Sequence, residues 1–98
     1  LLELLGFELT GSGSSGKFSI GGLFVVTWRD HSISANASEA KDYGSDHTFT
    51  TFGKAWSSGD DSDGQDVSVW VTSSGVSSAT VRNDGNSAAS ITLFAVGV

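Results

Sequence analysis

The last eight residues, Ile91-Thr92-Leu93-Phe94-Ala95-Val96-Gly97-Val98, are the most apolar run in the chain. Read as an extended strand with a side-chain period of two, the run places Ile91, Leu93 and Ala95 on one face. Phe94, Val96 and Val98 fall on the other. A strand that is apolar on both sides needs cover on both sides, so one face should line a core and the other should meet a neighbouring subunit. Leu23 to Asp30 repeats the pattern, with Leu23 and Val25 opposed to Phe24, Val26 and Trp28.

Other runs also alternate, and glycine-supported turns separate them. Val67, Val69 and Val71 alternate with Ser68, Trp70 and Thr72, while Ser73-Ser74-Gly75 turns the chain into a returning strand from Val76 to Arg82. Asn83-Asp84-Gly85-Asn86 is the clearest turn signal, because these residues tolerate the positive φ that tight turns require. His47 to Phe52 reads as a strand with Phe49 and Phe52 on opposite faces. Asp30 to Asp46 reads as loop with one short strand at most, and Ser57 to Gln65 as an exposed loop. The count is about five to seven short strands, which predicts an all-β, antiparallel β-sandwich. Thirteen glycines and no proline suit that class.

The N-terminal residues read differently. Leu1, Leu4 and Leu5 share one face of a helical turn that Gly6 would end, either as the last turn of a coiled shaft or as a plain buried segment. Gly11-Ser12-Gly13-Ser14-Ser15-Gly16 is a hinge or a hairpin loop. The expected division is therefore a shaft end or linker over 1–17 and a sandwich over 18–98. With no methionine and a start at Leu1, the chain is expected to be the end of something longer.

Composition narrows the function classes. There is no cysteine, which excludes disulfides, thiolate metal sites and cysteine nucleophiles. The formal net charge of −6 repels phosphate backbones, so nucleic acid is not an expected partner. No apolar run approaches the ~20 residues needed to span a bilayer as a helix, so no membrane insertion is expected. No Gly-X-Ser-X-Gly elbow occurs, and no pair of carboxylates sits on evident rigid elements across a cleft, so no enzyme activity is expected. His31 and His47 lack a third ligand of their kind, and no cofactor is expected.

Asp60, Asp61, Asp63 and Asp66 crowd four like charges into seven residues, which requires solvent or a cation to offset their repulsion. The spacing fails as a calcium loop of the EF-hand kind, because Gly59 and Trp70 stand where acids are required. A solvated loop is the simpler reading and an irregular oxygen-ligand site the other. Trp56 sits just before this acidic loop and Tyr43 lies within the earlier polar stretch, so both should lie near the surface. An aromatic face there can stack on a sugar ring while neighbouring carboxylates accept its hydroxyls, so Trp56, Tyr43 and the four aspartates form the candidate receptor-binding set. For Trp56 the alternative is that it caps the sandwich edge.

The order of these elements resembles a known family. Gly22-Leu23-Phe24-Val25-Val26-Thr27-Trp28, the small-residue stretch Ser32 to Ala37, the Phe-Thr run Thr48 to Phe52, the valine-rich strand, Ser78 to Arg82 and the closing Ala88 to Val98 follow one another as in the C-terminal tip domains of tail fibres from tailed bacteriophages. The resemblance covers roughly residues 18 to 98. Thr27 and Arg29 flank Trp28 where family members commonly carry Gln and Gly. The resemblance implies a homotrimer on the virion, at the distal end of a tail fibre, that binds a bacterial surface glycan or an outer-membrane protein. Phe94, Val96 and Val98 are then the expected trimer interface. An alternative is a structural trimerisation cap, with recognition performed elsewhere in the fibre.

Overall fold

The structure is a computed structural model that describes residues 6–21, 23–61 and 69–98. The described residues form eight β-strands in two antiparallel sheets, arranged as a sandwich. Sheet A has the order β1-β2-β3-β8-β5, built from β1 (Phe7–Gly11), β2 (Ser15–Ile20), β3 (Phe24–Ile33), β8 (Ala89–Gly97) and β5 (Phe52–Asp61). Sheet B has the order β4-β7-β6, built from β4 (Ala37–Asp42), β7 (Ser78–Asn83) and β6 (Val69–Ser74).

The alternation of β8 decides where the core sits. Ala89, Ile91, Leu93 and Ala95 are all buried, and they pack with Val25, Ile33 and Ala55 of sheet A and with Ala79 and Val81 of sheet B. Val69 and Val71 join them from β6 and leave Trp70 outside, as the alternation of that strand predicts. Among the described residues two polar groups, Thr27 and Asn83, are buried with the apolar ones, and Asn83 is 1% exposed at the end of β7. Its side-chain amide reaches the carbonyls of Ile33, Ser34 and Ser87 at 3.5, 3.2 and 3.0 Å, and its Oδ1 accepts from Gly85 N at 2.8 Å. Every polar atom of this buried group is satisfied, and two turns are tied together.

Four sequence expectations need correction. The run His47 to Phe52 is not a strand; β5 begins only at Phe52. Thr50 N and Thr51 N donate to Val98 O, and Phe49 N donates to Val76 O, so this backbone is satisfied outside any ladder. Phe49 and Phe52 therefore do not oppose each other: both rings enter the core, 5.7 Å apart. Second, Ser57 to Asp61 is paired rather than looped, opposite Leu93 to Ala89 of β8. The apolar strand β8 needs a hydrogen-bonding partner on that edge, and main-chain pairing does not require apolar side chains. Third, β3 extends to Ile33, which leaves β4 as the one short strand in the polar stretch before Asp46. Fourth, eight strands are described where five to seven are expected, because the Gly/Ser stretch turns a hairpin between β1 and β2.

The expected boundary between residues 17 and 18 falls within β2. The leucine-rich segment 1–5 lies outside the described residues.

Candidate assembly face

The side of sheet A turned away from the core carries large apolar groups on every strand. Three rows cross it in register. Phe7 pairs with Ile20, and Ile20 with Phe24. Leu9, Phe18, Val26, Val96 and Lys54 form the second row, and Gly11, Gly16, Trp28, Phe94 and Trp56 the third. Neighbouring strands are ~4.8 Å apart and alternate residues ~6.7 Å, so with side-chain margins the face covers roughly 400 Å². Soluble monomers rarely leave a larger contiguous apolar patch wet, and patches of this size are often functional.

The local chemistry explains why the rows form. Phe18 stands between Phe7 and Phe24, with ring centroids 5.9 and 6.3 Å away. Trp56 lies flat on Phe94, at 5.4 Å and 11°. Trp28 rests over Gly16, and its Nε1 donates to Ser12 O at 2.9 Å. Any larger residue at position 16 would displace the indole, because a Cβ there would stand 2.6 Å from Trp28 Cζ2 and 2.3 Å from Thr10 O. Along β1 the face deepens into a shallow groove lined by Phe7, Leu9, Thr10 and Phe18. Leu9 is 70% exposed and Trp56 43%, while the other apolar members are half-buried.

The residues expected from the sequence separate into three groups. Phe94 and Val96 sit in adjacent rows of this face, as their parity requires, and Val98 is half-buried beyond the end of β8. Trp56, expected at a receptor site, belongs to the same face through its stack on Phe94. Tyr43 is not near the surface: it is fully buried, stacked at 8° on Phe52 and edge-on to Phe49. Its hydroxyl bonds the Gly75 carbonyl and lies 3.1 Å from that of Ser78, and burial pushes its ionisation upward. An apolar ring with one polar tip is accommodated inside when the tip finds a carbonyl, and here it pins the β6–β7 turn. Asp60 and Asp61 are the final residues of β5 rather than part of a loop. Asp63 and Asp66 lie outside the described residues. Among the described residues, no group of three His, Cys, Asp or Glu is placed to hold a metal ion.

Sequence reasoning missed Phe7, Leu9, Phe18 and Ile20. The signal was available, since Phe7-Glu8-Leu9-Thr10 and Lys17-Phe18-Ser19-Ile20 both alternate across the glycine-serine turn, a hairpin pattern.

No protein-family model matches this chain, and no curated protein matches its sequence. Two solved structures match its fold. One is the P. aeruginosa R2 pyocin fibre in its C-terminal part, with a TM-score of 0.70 and 19% identity, over 95% of this chain and 26% of that one. The other is an N-truncated R2-type pyocin tail fibre, with a TM-score of 0.73 and 20% identity, over 95% of this chain and 39% of that one. This chain thus spans well under half the length of either. Its two-sheet architecture is the fold found within R2-type pyocin fibres.

Proposed function

We propose that this chain is a fibre module of a phage-tail-like particle, in which three copies bury the outer faces of sheet A against one another and the surfaces left outside contact a bacterial receptor. The continuous apolar face from Leu9 to Trp56 carries the reading, because a solitary subunit would leave it wet. At about 25 cal/mol per Å², covering roughly 400 Å² on each copy contributes about 10 kcal/mol per subunit before the costs of association. Association costs about 4–15 kcal/mol, so this burial by itself supports a weak, concentration-dependent assembly. The likeness to pyocin fibres supports the fibre setting, and threefold symmetry is what the resemblance to phage fibre tips implies. The assigned role is assembly and contact, with no catalysis.

The mass of the isolated domain by light scattering tests the assembly. A trimer is expected for the natural sequence and a monomer for Val96→Asp, which places a charge in the middle row; a natural sequence that is monomeric at high micromolar concentration overturns the reading. Receptor contact is tested by binding of the labelled trimer to whole bacterial cells. One observation favours the alternative of a trimerisation cap: of the two aromatic residues expected at the receptor site, Tyr43 is buried in the core and Trp56 lies on the face of sheet A that the assembly covers. Intact trimers that bind no cell in a broad panel of strains would establish the cap.

A further inference from the structure

The two outer faces of the sandwich differ in character. On sheet A the face is apolar. On sheet B, Ser78, Thr80 and Arg82 of β7 alternate with the buried Ala79, Val81 and Asn83, and their register partners are Ser38, Ala40 and Asp42 on β4. This surface is paved with small and hydroxyl-bearing groups. Trp70 of β6 stands out from it, 45% exposed and paired in register with Arg82, which itself pairs with Ser38. The guanidinium is held in place, since Arg82 Nε donates to Asp84 Oδ1 at 2.5 Å.

The position within the molecule is also specific. Asn36 N donates to Gly85 O at 3.0 Å, and Asn36 Nδ2 to Asn86 Oδ1 at 3.5 Å, so the turns after β3 and β7 meet beside Arg82 and Asp84. Gly6 and Val98 lie at the opposite end, where Gly21 N donates to Gly6 O and Thr50 N to Val98 O. Trp70 therefore belongs to the end away from both.

We infer that Trp70, Arg82 and Asp84 bind a neutral sugar ring of a surface glycan. The inference rests on the assembly reading, which buries the outer face of sheet A and leaves that of sheet B facing outward. The indole supplies a flat apolar surface for the C–H face of a pyranose. Arg82 has guanidinium N–H groups beyond Nε to donate to ring hydroxyls, and Asp84 has a carboxylate to accept from them. Charge selects the ligand: Asp84 neutralises Arg82 within a chain of net charge −6, so polyanions are repelled. One large aromatic among small residues is too little for a protein partner, which needs roughly 800 Å² per side with several anchors.

The three tryptophans each give one indole N–H signal in a proton–nitrogen correlation spectrum. The assembled chain is titrated with methyl glycosides of glucose, galactose, mannose, rhamnose and N-acetylglucosamine. At least one of them is expected to shift, saturably, the indole signal that disappears in Trp70→Ala, while those of Trp28 and Trp56 stay in place. Trp70→Phe should bind more weakly and Trp70→Ala not at all, and Arg82→Ala should weaken binding about tenfold, the loss of one charge-assisted hydrogen bond. If none of the five moves the Trp70 signal, or if Trp70→Ala binds as well as the natural sequence, the inference is overturned. The mass measured on the same samples separates the two readings. An intact assembly that binds no sugar refutes only the sugar site, and a monomer that binds sugar refutes only the assembly.

Discussion

Asn83 is the residue on which the end of the sandwich depends. Its amide joins the turn after β3 to the turn after β7, and its burial means that any lost bond leaves a carbonyl or an N–H without water to replace it. Asn83→Ala is expected to cost about 2–3 kcal/mol by chemical denaturation. Asn83→Asp should cost more, because it sets a carboxylate against three carbonyl oxygens; equal losses would show that volume rather than hydrogen bonding matters there. Glu39 offers a second residue-level test. Lys41 Nζ donates to its Oε1 at 2.8 Å and Ser34 N to its Oε2 at 2.9 Å, and together they lower its ionisation from 4.5 to about 2. The unfolded chain takes up the proton at the higher pH, so this contribution to stability is full above about 4.5 and disappears as pH falls towards 2. The melting temperature should fall through that window, less steeply in Glu39→Gln. Asp42 is shifted in the same direction by the Ser45 hydroxyl, so part of the slope should persist in that variant.

At the level of elements, the β1–β2 hairpin and the edge strand β4 show how sheets are closed or kept from growing. The hairpin is fastened by Trp28, whose indole crosses Gly16 to reach Ser12. Gly16→Ala should therefore destabilise the domain by about 1–3 kcal/mol, the usual cost of overpacking, and shift the Trp28 indole resonance; an unchanged resonance would mean that the ring does not lie over β2. Along β4, Glu39 and Lys41 share the side of the strand whose partners include the buried Val81. Inward-pointing charges on an edge strand discourage pairing with a stray strand, and β4 is such an edge. Arg29 makes a bidentate bond to Asp46, at 3.0 and 3.1 Å, and so fastens β3 to the segment following Tyr43.

For the whole molecule, an assembly held by apolar burial behaves in recognisable ways. Its melting temperature should rise with protein concentration by mass action, and Val96→Asp should abolish that dependence. Sulfate should strengthen association where an interface of ion pairs would weaken with salt. Calorimetry over a hundredfold range of concentration reads both effects, and a concentration-independent transition in the natural sequence would contradict the apolar face as an interface.

The sequence by itself determined the class of fold and the two-sidedness of β8, because a period of two is written directly into Ile91 to Val98. It also placed the turns, since Asn83-Asp84-Gly85 and the Gly/Ser stretch carry their own backbone preferences. Local sequence could not show that Phe49 and Phe52 share one core, since an irregular backbone breaks the parity on which that reading depends. Nor could it show that Ser57 to Asp61 pairs with β8, or that Tyr43 is buried, because both outcomes depend on what a distant segment offers: an unpaired strand edge in one case and free carbonyls in the other. Only the tertiary structure set Phe7, Leu9, Phe18, Trp28, Trp56 and Phe94 side by side, since a sheet draws neighbours from strands far apart in the chain and its register alone decides which of them share a face.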